Sequence, residues 1–216
     1  MDWLTRTPEA ALRMFPEAVF WGTGFIAFVT LSFPFGVFFL SLIEAGAFYH
    51  GFNYINENIR LFGTNSLASG KCRTGFEDPT LRSISLFQYE FRPTFMSLSV
   101  FMTSFIGTYL VGVLLYLKNE LEILGSSYGE QYTTRMYGSV ALFTSIIFLT
   151  MTYRLLTGCD NAINIIASLL LGLAIGALIL LQNNGILGIQ SLNLLGVPIL
   201  RKRTEGGADL YVCSPT

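Results

Sequence analysis

The sequence predicts an all-α integral membrane protein: four transmembrane helices, an amphipathic interfacial helix and a small C-terminal β-hairpin. Three observations lead there. First, 52% of the 216 residues are apolar and only 12% are charged, about half the roughly 25% of an average soluble domain. Second, the charges are excluded from four windows of 18 to 26 residues, at 18–43, 94–117, 136–153 and 161–181. A hydrocarbon core of about 30 Å needs roughly 20 helical residues to cross it. Third, the windows lack strict apolar–polar alternation, which leaves the helix as the spanning form. With a formal net charge of −1 there is no basic face for nucleic acid, and the composition excludes a soluble enzyme and a disordered chain.

The first 17 residues mix Asp2, Glu9 and Glu17 with Arg6 and Arg13, unlike a cleaved signal peptide. The first window holds seven phenylalanines from Phe20 to Phe39, and Pro34 and Gly36 predict a kink past its middle. After it, Phe48, Phe52, Ile55, Ile59 and Phe62 recur at steps of four and three, the pattern of an amphipathic helix lying in the membrane interface or against a partner. It belongs to an extramembrane loop, 44–93, whose residues 63–80 are turn-rich. The second and third windows are rich in Ser and Thr. The fourth carries Gly172 and Gly176, a small-xxx-small spacing that lets helix backbones approach. No Asp, Glu, Lys or Arg lies inside a window, which argues against an ion or proton path.

Residues 182–216 read as a C-terminal docking tail. Val197–Arg203 and Ala208–Val212 flank Thr204-Glu205-Gly206-Gly207 as a β-hairpin would. Arg201, Lys202, Arg203 and Tyr211 are its candidate docking residues. Four spans put both chain ends on one side with the 118–135 connection. Lys and Arg then divide seven against six between the two sides, too even to orient the protein by the positive-inside rule. Cys72 and Cys159 share a side and could pair in an oxidising compartment, with Cys213 opposite. The odd count and absent metal spacing favour free thiols at all three.

The stretch FRPTFMSLSVFMTSF (91–105) resembles the opening of a span at the "PSGH" motif of the type-2 phosphatidic acid phosphatase superfamily. TYRLLTGCDNAINIIASLLLGLAIG (152–176) resembles that superfamily's third motif, with an arginine at a helix end, a short turn and a Gly-rich last helix. The resemblance covers about 85 residues, mostly generic apolar helix. It implies that Arg154, with Arg92, contacts a headgroup phosphate. The family's nucleophilic histidine is replaced by Asp160 (or by Cys159 on a one-residue shift), and its proton-donating histidine by Met96. Its lysine, due near Ser85, is absent, and the only histidine, His50, matches no motif position. The resemblance therefore implies a catalytically inactive relative. Each marked residue also has a structural reading: Arg154 as a snorkelling helix-end residue, Asp160 as an N-cap, Arg92-Pro93 as a helix start.

The tail LNLLGVPILRKRTEGGADLYVC (192–213) is similar to C-terminal segments of membrane-embedded minor capsid proteins of large icosahedral DNA viruses of the chlorella-virus kind. The resulting expectation is a non-catalytic structural or anchoring protein of a larger assembly. Its partners are the lipid bilayer and other protein subunits, met through loop 44–93 and tail 182–216, with no cofactor, metal or nucleic acid. Its site is a membrane, under the tail resemblance the inner membrane of a virion. The alternative is a lipid-phosphate phosphatase or lipid-binding pseudoenzyme.

Overall fold

The computed structural model describes residues 3–59, 72, 94–119, 121–122 and 131–196. Among these it contains five α-helices: α1 (Trp3–Thr30), α2 (Phe33–Ile59), α3 (Leu98–Tyr116), α4 (Gln131–Leu156) and α5 (Ala162–Leu187). A 3-10 turn, Ile189–Leu192, follows. Four stretches, Phe33–Ile59, Leu98–Tyr116, Met136–Leu156 and Ala162–Leu187, are long and apolar enough to cross a membrane. The fold is that of a multi-pass membrane protein. No strand occurs among the described residues, and the expected β-hairpin lies outside them.

The centre of the bundle is the parallel pair α3 and α5, the most extensive helix contact in the molecule. Lipid tails are as apolar as leucine, so no hydrophobic force draws two membrane helices together, and close packing has to do it. The sequence provides for this with Gly172 and Gly176 on α5, facing Ser104 and Thr108 on α3. A Cβ at Gly172 would stand 2.5 Å from the Phe101 carbonyl oxygen, and one at Gly176 would stand 3.1 Å from that of Phe105. The backbones therefore touch where the glycines are. Gly112 of α3 returns the favour to Leu180 of α5. Shape sets this seam, since the buried hydroxyls of Ser104 and Thr108 have no hydrogen-bond partner.

Two buried polar clusters fix α2 against this pair. Asn183 of α5 donates from Nδ2 to Ser41 Oγ at 2.8 Å and to Tyr109 OH at 3.0 Å, joining three helices. Toward the other end, Tyr49 OH donates to the Met96 carbonyl at 3.1 Å, and the Met96 N–H donates to Asn53 Oδ1 at 3.3 Å. The Ser97 N–H donates to Ser168 Oγ at 2.8 Å. Phe38 stacks on Tyr109 and Tyr49 leans on Phe101, so α2 runs antiparallel to α3. Helix α4 lies outermost, resting on α3 where Gly107 meets Ile147. Its exposed Thr144, Ser145 and Thr152 each donate to the carbonyl four residues back, which keeps their hydroxyls satisfied in lipid.

The expected single kinked span over 18–43 is corrected. The chain reverses at Leu31-Ser32, with Leu31 in the left-handed region at φ 50°. Pro34 stands in the first turn of α2, where its missing N–H costs nothing and its fixed φ starts a helix. The Gly36 N–H bonds the Ser32 carbonyl at 3.0 Å. Phe20 of α1 packs on Phe39 of α2 at 4.8 Å between ring centroids, and Gly24 faces the same ring. Thus 18–30 and 33–43 are the two arms of a helical hairpin. The separate interfacial helix is corrected as well: Phe48, Phe52, Ile55 and Ile59 lie on the continuous α2, because nothing between 43 and 47 interrupts it. Phe48 and Phe52 pack on the core, Ile55 and Ile59 are exposed, and Phe62 lies outside the described residues.

After α5, Gly188 takes φ 76° and turns the chain back. Leu192 is then buried in the core, and Ser191 donates to the Gly188 carbonyl at 2.7 Å. Helix α5 thus runs beyond the expected 161–181, and the segment after it closes that end of the bundle.

Replacing Gly172 by Ala is expected to destabilise the protein by about 1–3 kcal/mol, the ordinary effect of overpacking against rigid backbone. Gly185→Ala, whose Cβ would meet nothing within 4 Å, should be neutral or stabilising by up to about 1 kcal/mol. Thermal unfolding followed by circular dichroism in one detergent measures both. Equal midpoints would remove the backbone contact from the account.

Candidate functional site

At the end of the bundle where α4 hands over to α5, the chain turns in five residues, 157–161. The turn needs Gly158 at φ 68°, a conformation in which a Cβ is disfavoured. The Gly158 N–H donates to the Leu155 carbonyl and the Cys159 N–H to that of Arg154, both at 3.1 Å. These bonds use up the last carbonyls of α4 and point Arg154, Cys159 and Asp160 into one small volume. Asn161, one residue beyond Asp160, is the residue flanking α5. The N-cap reading of Asp160 is therefore corrected, since its carboxylate turns to Arg154.

Arg154 is only 2% exposed and is among the largest fully buried side chains. Its Nε donates to Asp160 Oδ2 at 2.5 Å, and its Nη1 donates to the Cys72 carbonyl at 2.6 Å. The snorkelling reading is corrected by this burial: a guanidinium taken out of water needs an anion and acceptors, and here both lie within reach. Cys72 is joined to Cys159 by a disulfide that closes a loop of 87 residues. This overturns the expectation of free thiols at these two positions. Odd counts and spacing say nothing about which residues the fold brings together. Cys213 lies outside the described residues.

The arrangement is a latch: one residue of the long loop, Cys72, is held by its side chain through sulfur and by its backbone through Arg154. In the chain-entropy account a loop of this length contributes about 4–5 kcal/mol, reduced here because membrane helices already restrain its ends. The ion pair contributes specificity more than net stability, because both ions lose their hydration.

Of the other expected site residues, Gly172 and Gly176 lie on the α3–α5 seam within the chain. Arg92, Arg201, Lys202, Arg203 and Tyr211 lie outside the described residues. Met96 is wholly buried, and its backbone carbonyl accepts from the Tyr49 hydroxyl. His50 is exposed on α2 with its ring beside Tyr49. Sequence reading missed Tyr49, Asn53, Ser168 and Asn183, the polar residues that hold the helices. Their only signal was polar residues recurring on otherwise apolar helices. Comparison of the chain with protein families, with curated proteins and with solved structures gives no match.

Arg154→Ala should cost about 3–5 kcal/mol because it strands Asp160 in the interior. The paired change Arg154→Met with Asp160→Leu should recover most of that. A double-mutant comparison of thermal midpoints in micelles tests the coupling. Additive losses would mean that the two side chains do not act together.

Proposed function

We propose that this chain is a non-catalytic multi-pass membrane protein that anchors part of a larger assembly in the bilayer. The observation that carries the reading is the occupation of Arg154. The one described arginine that the phosphatase resemblance assigns to phosphate is committed to Asp160 and to the Cys72 carbonyl. A phosphate clamp needs guanidinium N–H groups turned toward the ligand; here Nε and Nη1 are turned to Asp160 and the Cys72 carbonyl. Asp160, at the nucleophile position, is likewise held as a counter-ion. Met96, at the proton-donor position, offers no transferable proton. The polar chemistry of the site works to hold a loop in place, which suits a protein that presents a surface.

On this reading the latch holds Cys72 of the 44–93 loop against the α4–α5 turn at one face of the bundle, and α5 ends at the other. Protein subunits are the partners on each side, and lipid covers the belt between. The tail resemblance extends the reading to a minor capsid protein seated in the inner membrane of a virion. A disulfide between Cys72 and Cys159 supports a loop face exposed to an oxidising compartment. Lys and Arg, once α1 folds back, number eight on the loop face and five on the other, which alone would argue the reverse. The covalent bond is the stricter condition, because a charge bias tolerates exceptions and a reducing compartment removes the bond.

Deleting 197–216 should leave membrane insertion intact and release the protein from its assembly, read as a shift to small particles on native gels after mild solubilisation. The same purified full-length protein should release no phosphate from phosphatidic acid vesicles above a protein-free blank. Recovery of the truncated chain in large particles would sink the docking tail. Phosphate release lost in the paired variant Arg154→Met with Asp160→Leu, which should stay folded, but kept in Gly185→Ala would establish the phosphatase alternative.

A further inference from the structure

The tip of the α1–α2 hairpin gathers some of the most exposed apolar side chains among the described residues. Phe25, Phe28, Val29, Leu31 and Phe33 crowd the reversal, with Phe28 81% and Leu31 86% exposed. No ionisable residue lies between Glu17 on one arm and Glu44 on the other. A water-facing helix connection ordinarily carries polar residues and turn formers. This one is built of phenylalanine, leucine and valine.

We infer that α1 and α2 form a lipid-inserted hairpin that enters from the loop face, with its tip covered by acyl chains, so that the two chain ends lie on opposite faces. Three observations carry it. The first is length: from the tip to the nearest carboxylate on either arm is 13 or 14 residues, about 20 Å at 1.5 Å per residue. Both arms therefore fit within a hydrocarbon core of about 30 Å without carrying a charge across it. The second is register. Phe38 stacks on Tyr109 and Tyr49 packs on Phe101, so the tip points toward the end of α3 away from the loop, and α1 returns beside α2 toward the loop.

The third is the backbone. Nonhelical chain in lipid is costly because each bare N–H or carbonyl lacks water. The reversal occupies only Leu31 and Ser32. Pro34 has no N–H to leave bare, the Gly36 N–H is bonded to the Ser32 carbonyl, and the Thr30 hydroxyl donates back to the Ile26 carbonyl at 2.6 Å. The turn is economical in the groups that lipid cannot satisfy. Its occupant is the acyl chain, since the exposed apolar residues continue along α2 through Leu40 and Ile43.

The sidedness that follows differs from that of four simple crossings, which would put both chain ends together. Here the N-terminus joins the Cys72–Cys159 latch, and Cys213 lies opposite.

The test uses the full-length protein in sealed membrane vesicles and a membrane-impermeant maleimide. Cys213 serves as the native reporter of the C-terminal face. Thr5→Cys and Leu31→Cys, each in a Cys213→Ser background, report the N-terminus and the tip. Thr5→Cys and Cys213 should label from opposite faces. Leu31→Cys should react at least about tenfold more slowly than either, from both faces, as expected of a thiol held in hydrocarbon. A measurement that leaves the hairpin unaltered uses Trp3→Phe, after which Trp21 on α1 is the sole tryptophan. Phospholipids brominated on their acyl chains should quench it more strongly than aqueous iodide. Labelling of Thr5→Cys and Cys213 from one face overturns the inference, as does rapid aqueous labelling of Leu31→Cys or iodide quenching stronger than that by bromolipid.

Discussion

The backbone contact between α3 and α5 is the constraint on which the other helices depend. In a bilayer the burial of leucine against leucine gains little over leucine against lipid, so stability has to come from contacts that lipid cannot reproduce. Gly172 and Gly176 supply these by bringing one helix against the carbonyl oxygens of Phe101 and Phe105. Every other contact is arranged around that pair. Helix α2 is tied to both members through Asn183, Ser41 and Tyr109, α4 rests on α3, and α1 packs mainly on α2. The gradient of burial follows the same order, from 67% of the α3 span down to 11% of the α4 span.

Side-chain hydrogen bonds between helices are few among the described residues, and they sit where helices must be told apart. A dry hydrogen bond is specific because its alternative is an unsatisfied group. Asn183 reaches two oxygens on two different helices, which sets the rotation of α5 about its axis in a way that apolar contacts would not. The Arg154 latch does the same for the loop. Its ion pair is sensitive to the loss of either partner, and the disulfide keeps Cys72 within reach of the guanidinium. Two constraints of different chemistry converge on one residue, so Cys72 has a fixed place against the α4–α5 turn.

The α1–α2 hairpin shows how one composition can serve two architectures. A charge-free run of 26 residues can form one long helix or the two arms of a helical hairpin, and hydropathy summed over a window cannot distinguish them. The decision rests on Pro34. Mid-helix it kinks; in a first turn it starts a new helix. The aromatic rings that would have lined one long helix instead pair across the hairpin, Phe20 against Phe39.

The sequence alone determined that the protein is helical and built for a membrane, because charge exclusion over about 20 residues has few other physical meanings. It also supplied the glycine spacing that the α3–α5 seam uses, since close approach requires small residues at a fixed helical interval. Only the tertiary structure decided which helices those glycines join, that 18–43 folds in two, and that α2 continues through 47–59 without a break. It also decided that Arg154 and Asp160 neutralise one another and that Cys72 meets Cys159. Arg154 and Asp160 are six residues apart and the cysteines 87 apart. A local pattern reads one helix at a time, whereas burial, pairing and oxidation are set by what the rest of the chain brings alongside.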